Sequence, residues 1–481
     1  MNKKEITIIA LLLISCIFFR IYFNPIPIDD ALITYRYAQN IAAGKGFRYN
    51  IWDRAPILGV TTPLYTLILA SGLKLGIDEF ILSDIMGIIS SGGTIIFVYL
   101  LLKEFGYKKA GIFAGIILGF FNDFVIYTMN GMETSLFICL VFASIYFFVK
   151  ESHIVSAFIL SILSLTRPEG IITAGILYLY YMVKNKKIPI VLGLIYSAPI
   201  LVWIIYSIAT FGSPIPNTFF AKQGHVSNEI LTSMLYVLGV FFGEGYLFLI
   251  PFCIIGLFYI ISNKKAIPVL LWTSGYSSAM IFSGVQPFRW YYIPLIVPFI
   301  MMSSIGIEKI YTRMFRKFKI LRNAYVCFIF IGLLLISVIG MDHYNKNIGT
   351  NAFLEKKTVG LWLNRNTSPK DTVAVNDIGY IGYYSQRNIV DFASLVTEIP
   401  NVSRSENKRE YFQEIINKYS PDYIVSWVEE GEILPPDKVL DKISVTGYKI
   451  TKEFPFKYKY TTDDKRFDVF YKTKHYVFER I

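Results

Sequence analysis

Runs of mainly apolar residues, many of them near the roughly 20 residues that cross a bilayer core as a helix, recur along the first 341 of the 481 positions. They lie at about 6–23, 80–102, 110–128, 135–149, 154–166, 170–183, 188–209, 246–261, 266–283, 291–307 and 325–341, about eleven in all. A chain that is 54% hydrophobic and 17% charged, with mean hydropathy +0.48, is not an ordinary soluble domain. The pattern predicts an all-α polytopic membrane domain over residues 1–341. The first run has a basic flank but no small-residue cleavage site, so it reads as a retained span rather than a signal peptide.

The net charge of +12 does not indicate nucleic acid. Lysine and arginine gather in short runs between apolar segments, at "NKK", "KEFGYKK", "KNKK", "NKK" and "RMFRKFKILR", which is how cytoplasmic loops are marked. The four cysteines fall inside apolar runs without a pairing pattern, and the four scattered histidines give no zinc spacing.

One run decides the topology. "TTPLYTLILASGLKL" (61–75) is too short to cross without local thinning of the bilayer. If it crossed, the later basic runs would fall opposite the first; embedded on the outer face without crossing, it leaves all five on one side. The second arrangement predicts a cytoplasmic N-terminus, an outer juxtamembrane loop over 24–79, and further outer loops at "NGMETS", "TRPEG", "FGSPIPNTFFAK" and "QPFRWYY". From residue 342 to 481 the pattern becomes soluble, with "FLEKKTVGLWLNRN" as an amphipathic helix and "DTVAVNDIGYIGYYS", "RNIVDF" and "PDYIVSWV" as strands and turns. This predicts a small extracytoplasmic α/β domain.

The outer loops hold the chemistry. "DDALITYRYAQNIAAG" predicts a helix from Asp30 to Ala43 stopped by Gly44, lying along the interface, with Arg36, Gln39, Asn40 and Ala43 on one face. Asp29 and Asp30 can cap that helix, yet one aspartate is enough for a cap, and paired like charges are commoner in sites. Glu133, Arg167, Glu169, Lys222 and Arg289 fall on the same side. Carboxylates opposite cations suit a site that holds a phosphate while a carboxylate removes a proton. Each also has a plainer role: Arg167 and Glu169 can pair within a helix turn, and Lys222 and Arg289 can snorkel to head groups.

Taken together, "DDALITYRYAQNIAAGKGFRYN", "GVTTPLYTLILA", "NGMETSLF", "LTRPEG" and "FGSPIPNTFFAK" resemble the C-type (GT-C) superfamily of polytopic glycosyltransferases, nearest the branch similar to the terminal arabinofuranosyltransferases of mycobacterial cell walls. The resemblance covers residues 1 to about 310, and beyond that only "NDIGYIGYYSQRNIVDFASLV". It implies a polyprenyl-phosphate-linked monosaccharide as donor, a glycan, lipid or protein hydroxyl as acceptor, inversion at the sugar carbon, and an acidic base after the first span. Alignment from Gly44 with lipid A aminoarabinose transferases puts the base at Asp29; alignment through Arg36 with oligosaccharyltransferases puts it at Asp30. Both are named here, with Asp29 preferred. Arg36, Glu133, Arg167, Glu169, Lys222 and Arg289 are assigned to the donor phosphate and substrate, and Asp29, Asp30 and Glu133 to a divalent metal (Mg, Mn or Ca) such as oligosaccharyltransferases bind. A transporter or glycolipid flippase is the rival class; it predicts internal repeats and charges within spans, whereas these charges gather in loops.

Overall fold

The computed structural model describes residues 3–53, 55–219, 229–242, 247–283, 288–313, 319–344, 351–398, 408–429, 448–455 and 473–480. The apolar runs fold as helices: α1 (Lys3–Phe23), α4 (Glu79–Glu104), α5 (Lys108–Phe120), α6 (Asn122–Thr128), α7 (Thr134–Val149), α8 (His153–Thr166), α9 (Gly170–Asn185), α10 (Ile190–Phe211), α12 (Ile250–Ile261), α13 (Ile267–Phe282), α14 (Ile296–Arg313) and α15 (Lys319–Tyr344). A further helix, α11 (Glu229–Phe242), falls where no span is expected.

The expected eleven spans and the helices differ in count. Among the described residues four helices are long and apolar enough to cross a membrane, and up to six if each bent pair is one span. The run 110–128 is one such pair, α5 and α6 meeting at 64°. Phe121 between them is extended, which frees the last carbonyls of α5; the buried Arg20 Nη1 donates to the Gly119 oxygen (3.2 Å), and the Ser337 hydroxyl donates to that of Phe120.

Two helices lie within residues 24–79. α3 (Pro63–Lys74) has 12 residues and spans only about 18 Å, too short for a hydrocarbon core. α2 (Asp29–Ala42) starts after Ile28 and ends before Gly44, whose φ of +73° the helix cannot continue. Its polar face is not open to solvent: Arg36 and Asn40 are buried along with the apolar face.

The C-terminal domain is a five-stranded sheet in the order β2-β1-β3-β5-β4, with β1 (Thr372–Val375), β2 (Asn388–Asp391), β3 (Tyr423–Glu429), β4 (Tyr448–Pro455) and β5 (Thr473–Arg480). β1 is parallel to β2 and β3, and β5 is antiparallel to β3 and β4. Helices α16 (Asn351–Asn366), α17 (Ile378–Ser385) and α18 (Lys408–Tyr419) complete it. Residues 378–385, part of a stretch read as strand and turn, are helical. One core, with Val359, Leu363, Val373, Ile378 and Val425, continues into the segment that follows α1 through Ile33, Tyr37, Phe47 and Tyr49.

Candidate active site

A cavity of about 660 Å³ opens between α2, the loops before α7 and after α8, the end of α10 and the turn at Trp290–Tyr292. Asp30, Glu133, Arg167 and Glu169 line it together with Trp203, Trp290 and Tyr291, and Leu395 reaches it from the C-terminal domain.

Local sequence explains how these side chains arrive. Arg167 precedes Pro168, which keeps it out of the helical region, so α8 stops and Arg167 turns in with extended backbone (φ −152°, ψ 141°). Gly131 (φ +81°) brings "NGMETS" against the start of α2, where a Cβ would lie 2.7 Å from the Tyr35 hydroxyl and 2.8 Å from Pro27 Cβ. Ile28 N–H donates to the Asn130 carbonyl (3.0 Å), fixing Glu133 beside the N-terminus of α2. The "SPIPN" turn is pinned by Asn217 N–H to the Leu58 carbonyl (2.9 Å) and by the Thr218 hydroxyl to that of Gly59 (2.6 Å).

Arg167 is 2% exposed. Its Nη2 bonds Glu169 Oε1 at 2.8 Å, its Nε lies 3.7 Å from Glu133 Oε1, and the guanidinium sits over the rings of Tyr291 (4.8 Å) and Phe137 (5.2 Å). Burial opposes its charge, but Glu169 and Glu133 outweigh that and raise its pKa. Burial likewise raises the pKa of Glu133, partly offset by Arg167. The Arg167 Nη1 atom is buried with no hydrogen-bond acceptor among the described residues, and so is the Thr62 hydroxyl of the same cavity. Unmade bonds of this kind cost about 1–3 kcal/mol unless a ligand completes them.

The expected residues therefore divide. Asp30, Glu133, Arg167 and Glu169 meet at the cavity. Asp29 does not line it: its carboxylate accepts from the amides of Gly379 (3.0 Å) and Tyr380 (2.9 Å) in α17, whereas Asp30 is in the lining. Arg36 does not line it either; its guanidinium donates to the carbonyls of Tyr49 (3.1 Å), Gly382 (2.7 Å) and Arg387 (2.5 Å) and lies 4.2 Å over the Tyr49 ring. Arg289 is bonded to Asp123 (3.0 Å) outside the cavity lining. Lys222 lies outside the described residues. Nor do Asp29, Asp30 and Glu133 converge as metal ligands: Asp29 is committed to α17, and among the described residues no group of three or more His, Cys, Asp or Glu is placed to hold an ion.

Sequence reasoning passed over the aromatic wall. Trp290 and Tyr291 belong to a loop noticed only for Arg289, and Trp203 hides inside an apolar run. An aromatic cluster in an outer loop is the signal that marks the first two.

Comparisons place this geometry among known folds. The solved structure of ArnT from Cupriavidus metallidurans bound to undecaprenyl phosphate matches all of this chain and 99% of its own, at TM-score 0.65 and 11% identity. The Archaeoglobus fulgidus oligosaccharyltransferase tethered to an acceptor peptide matches 89% of this chain and 69% of its own (TM-score 0.60, 12% identity). The same organism's AglB, in complex with an inhibitory peptide and a dolichol-phosphate, gives 0.59 at 12% identity over 88% of this chain and 69% of its own. The chain shares its fold with ArnT and with the Archaeoglobus fulgidus oligosaccharyltransferase. At these identities the likeness establishes the fold alone. A family model described as a domain of unknown function, DUF8728, matches residues 345–474, and no curated protein matches.

Proposed function

We infer that this chain is a membrane glycosyltransferase that moves a monosaccharide from a polyprenyl-phosphate donor to an acceptor hydroxyl, with inversion, on the extracytoplasmic side. One observation carries the reading: a cavity in a GT-C-like fold is lined both by Asp30 and by a buried Arg167 whose Nη1 has no acceptor among the described residues. The neighbours' bound undecaprenyl phosphate and dolichol-phosphate support a lipid phosphate as the missing partner. The motif order supports the branch similar to mycobacterial arabinofuranosyltransferases.

Asp30 takes the acceptor hydroxyl proton as that oxygen attacks C1 of the sugar. The new C1–O bond forms while the bond from C1 to the phosphate oxygen breaks, and its electron pair leaves with the lipid phosphate. Arg167 Nη1 donates to the phosphate as charge develops there, with Glu133 and Glu169 holding the guanidinium in place. Lys222 of the adjoining "NTFFAK" segment is assigned to the same phosphate. The aromatic wall of Trp203, Trp290 and Tyr291 offers flat apolar surface to the sugar and the first isoprene units. No step requires a metal.

Membranes carrying the protein, incubated with a radiolabelled polyprenyl-phosphate sugar and envelope glycans, are expected to yield a labelled glycosidic product that Asp30→Asn abolishes. A flippase would move the lipid and give no such product, which would overturn the reading.

A further inference from the structure

Asp29 and Asp30 are successive residues on the first turn of α2, about 100° apart around its axis. Asp30 lines the cavity, and Asp29 faces the C-terminal domain. What Asp29 meets there is the unpaired N-terminus of α17. The residue in the local capping position, Asp377, makes no side-chain cap; its carboxylate is bonded instead to Lys356 at 2.8 Å. Asp29 supplies the cap from 350 residues away in the chain, one oxygen to each of two amides. Gly379 makes room for it, since a Cβ there would lie 1.9 Å from the Asp29 carbonyl oxygen and 2.6 Å from its carboxyl carbon.

The cap is one stitch in a seam. Tyr49 donates its hydroxyl to the Ile378 carbonyl (2.5 Å), Tyr380 donates to that of Pro27 (2.7 Å), and Asn50 exchanges two bonds with the backbone of Ile389 (2.8 and 2.9 Å). Arg36, two turns along α2, bonds Gly382 and Arg387 at the middle of the helix. Residues 378–389 thus hold α2 at its N-terminus and at its middle, along a stripe about 100° around the axis from Asp30.

We propose that Asp29 is a positioning residue: by capping α17 in trans it fixes the rotation of α2, and so the direction in which Asp30 meets the acceptor, which makes the C-terminal domain part of the catalytic machinery. This rests on Asp30 being the base. The Asp29 carboxylate is turned away from the cavity and has no acceptor hydroxyl within reach, whereas a small rotation of α2 carries Asp30 off the line of attack.

The test compares Asp29→Asn, Asp29→Ala, Gly379→Ala and Asp30→Asn in the full-length protein reconstituted in nanodiscs. Readouts are kcat and donor KM for transfer, and amide exchange over residues 376–389. Asparagine keeps one capping acceptor and no charge, so Asp29→Asn is expected to lose less than about tenfold in kcat. Asp29→Ala and Gly379→Ala should each lose on the order of 10- to 100-fold in kcat at unchanged donor KM, with faster exchange in α17. The glycine change attacks the contact from a residue that bears no chemistry. Asp29→Asn as inactive as Asp30→Asn, with exchange unaltered, would overturn the proposal by making Asp29 the chemical group. So would full activity of Gly379→Ala with accelerated exchange, because domain docking would then be irrelevant to turnover. Full activity of Asp30→Asn would instead remove the assigned base, a separate failure visible in its own arm.

Discussion

The two sides of helix α2 are built to opposite specifications. Towards the C-terminal domain its polar groups are met: Asp29 has two amides, Arg36 three carbonyls, and Asn40 donates to the carbonyls of Arg48 and Tyr49. Towards the cavity the chamber keeps Asp30 in its lining together with, among the described residues, a guanidinium nitrogen without an acceptor and a Thr62 hydroxyl without a partner. A buried polar group that is fully satisfied rigidifies, whereas one left open costs free energy until something binds. The difference separates residues that hold the helix from residues that await a substrate, although both kinds sit within the same short motif.

The largest effect expected from this contrast is at Asp30. Asp30→Asn should lower transfer by about 10²- to 10⁴-fold with the protein still folded and membrane-inserted, read as labelled product per nanodisc. Arg167→Ala comes next, at roughly 10- to 100-fold in kcat/KM for the lipid donor, since it removes a charge-assisted bond and strands Glu133 and Glu169. An unchanged donor dependence would take Arg167 out of the phosphate site. On the saturated side the reverse balance should hold: Arg36→Met should reduce stability by about 3 kcal/mol, seen as a lower Tm, because it strands carbonyls on both sides of the seam. Large loss of donor affinity without a change in Tm would erase the distinction between the two faces.

The smallest effect is one of pH. Burial pushes the Asp29 carboxyl from 3.8 up to about 6, with Lys356 opposing the shift and Asp377 and Asp30 adding to it. A carboxyl whose pKa is raised by folding favours the folded state when protonated, so this contribution is complete below 3.8 and is lost as pH rises through about 6. Thermal unfolding followed across that window should show wild type losing stability relative to Asp29→Asn, and parallel curves would mean that Asp29 is not the titrating group.

Much of the architecture could be read from the sequence because the membrane imposes a strong pattern: the apolar runs became helices, Gly44 ended α2, and "RNIVDF" and "PDYIVSWV" became β2 and β3. The count of spans could not be read, because several runs form helices of only 12 to 16 residues or bend midway, and apolar composition does not record length or direction after folding. Residues 378–385 escaped for a related reason. Two glycines and three tyrosines in "IGYIGYYS" favour a strand or turn, and the cap that makes them helical comes from Asp29, far away in the chain. The site was legible as a set of loops, since Glu133, Arg167 and Glu169 do meet Asp30. Which aspartate faced the cavity was not, since neighbouring residues on a helix point apart and only the docked domain decides which is covered.

The most direct test is a structure of the protein with a polyprenyl phosphate bound in nanodiscs. The account predicts phosphate density within hydrogen-bond distance of Arg167 Nη1, the lipid against Trp203 and Tyr291, and Asp30 facing the open side of the phosphate where the sugar would stand. Phosphate density away from Arg167, or Asp30 turned out of the chamber while Asp29 faces the ligand, would contradict it.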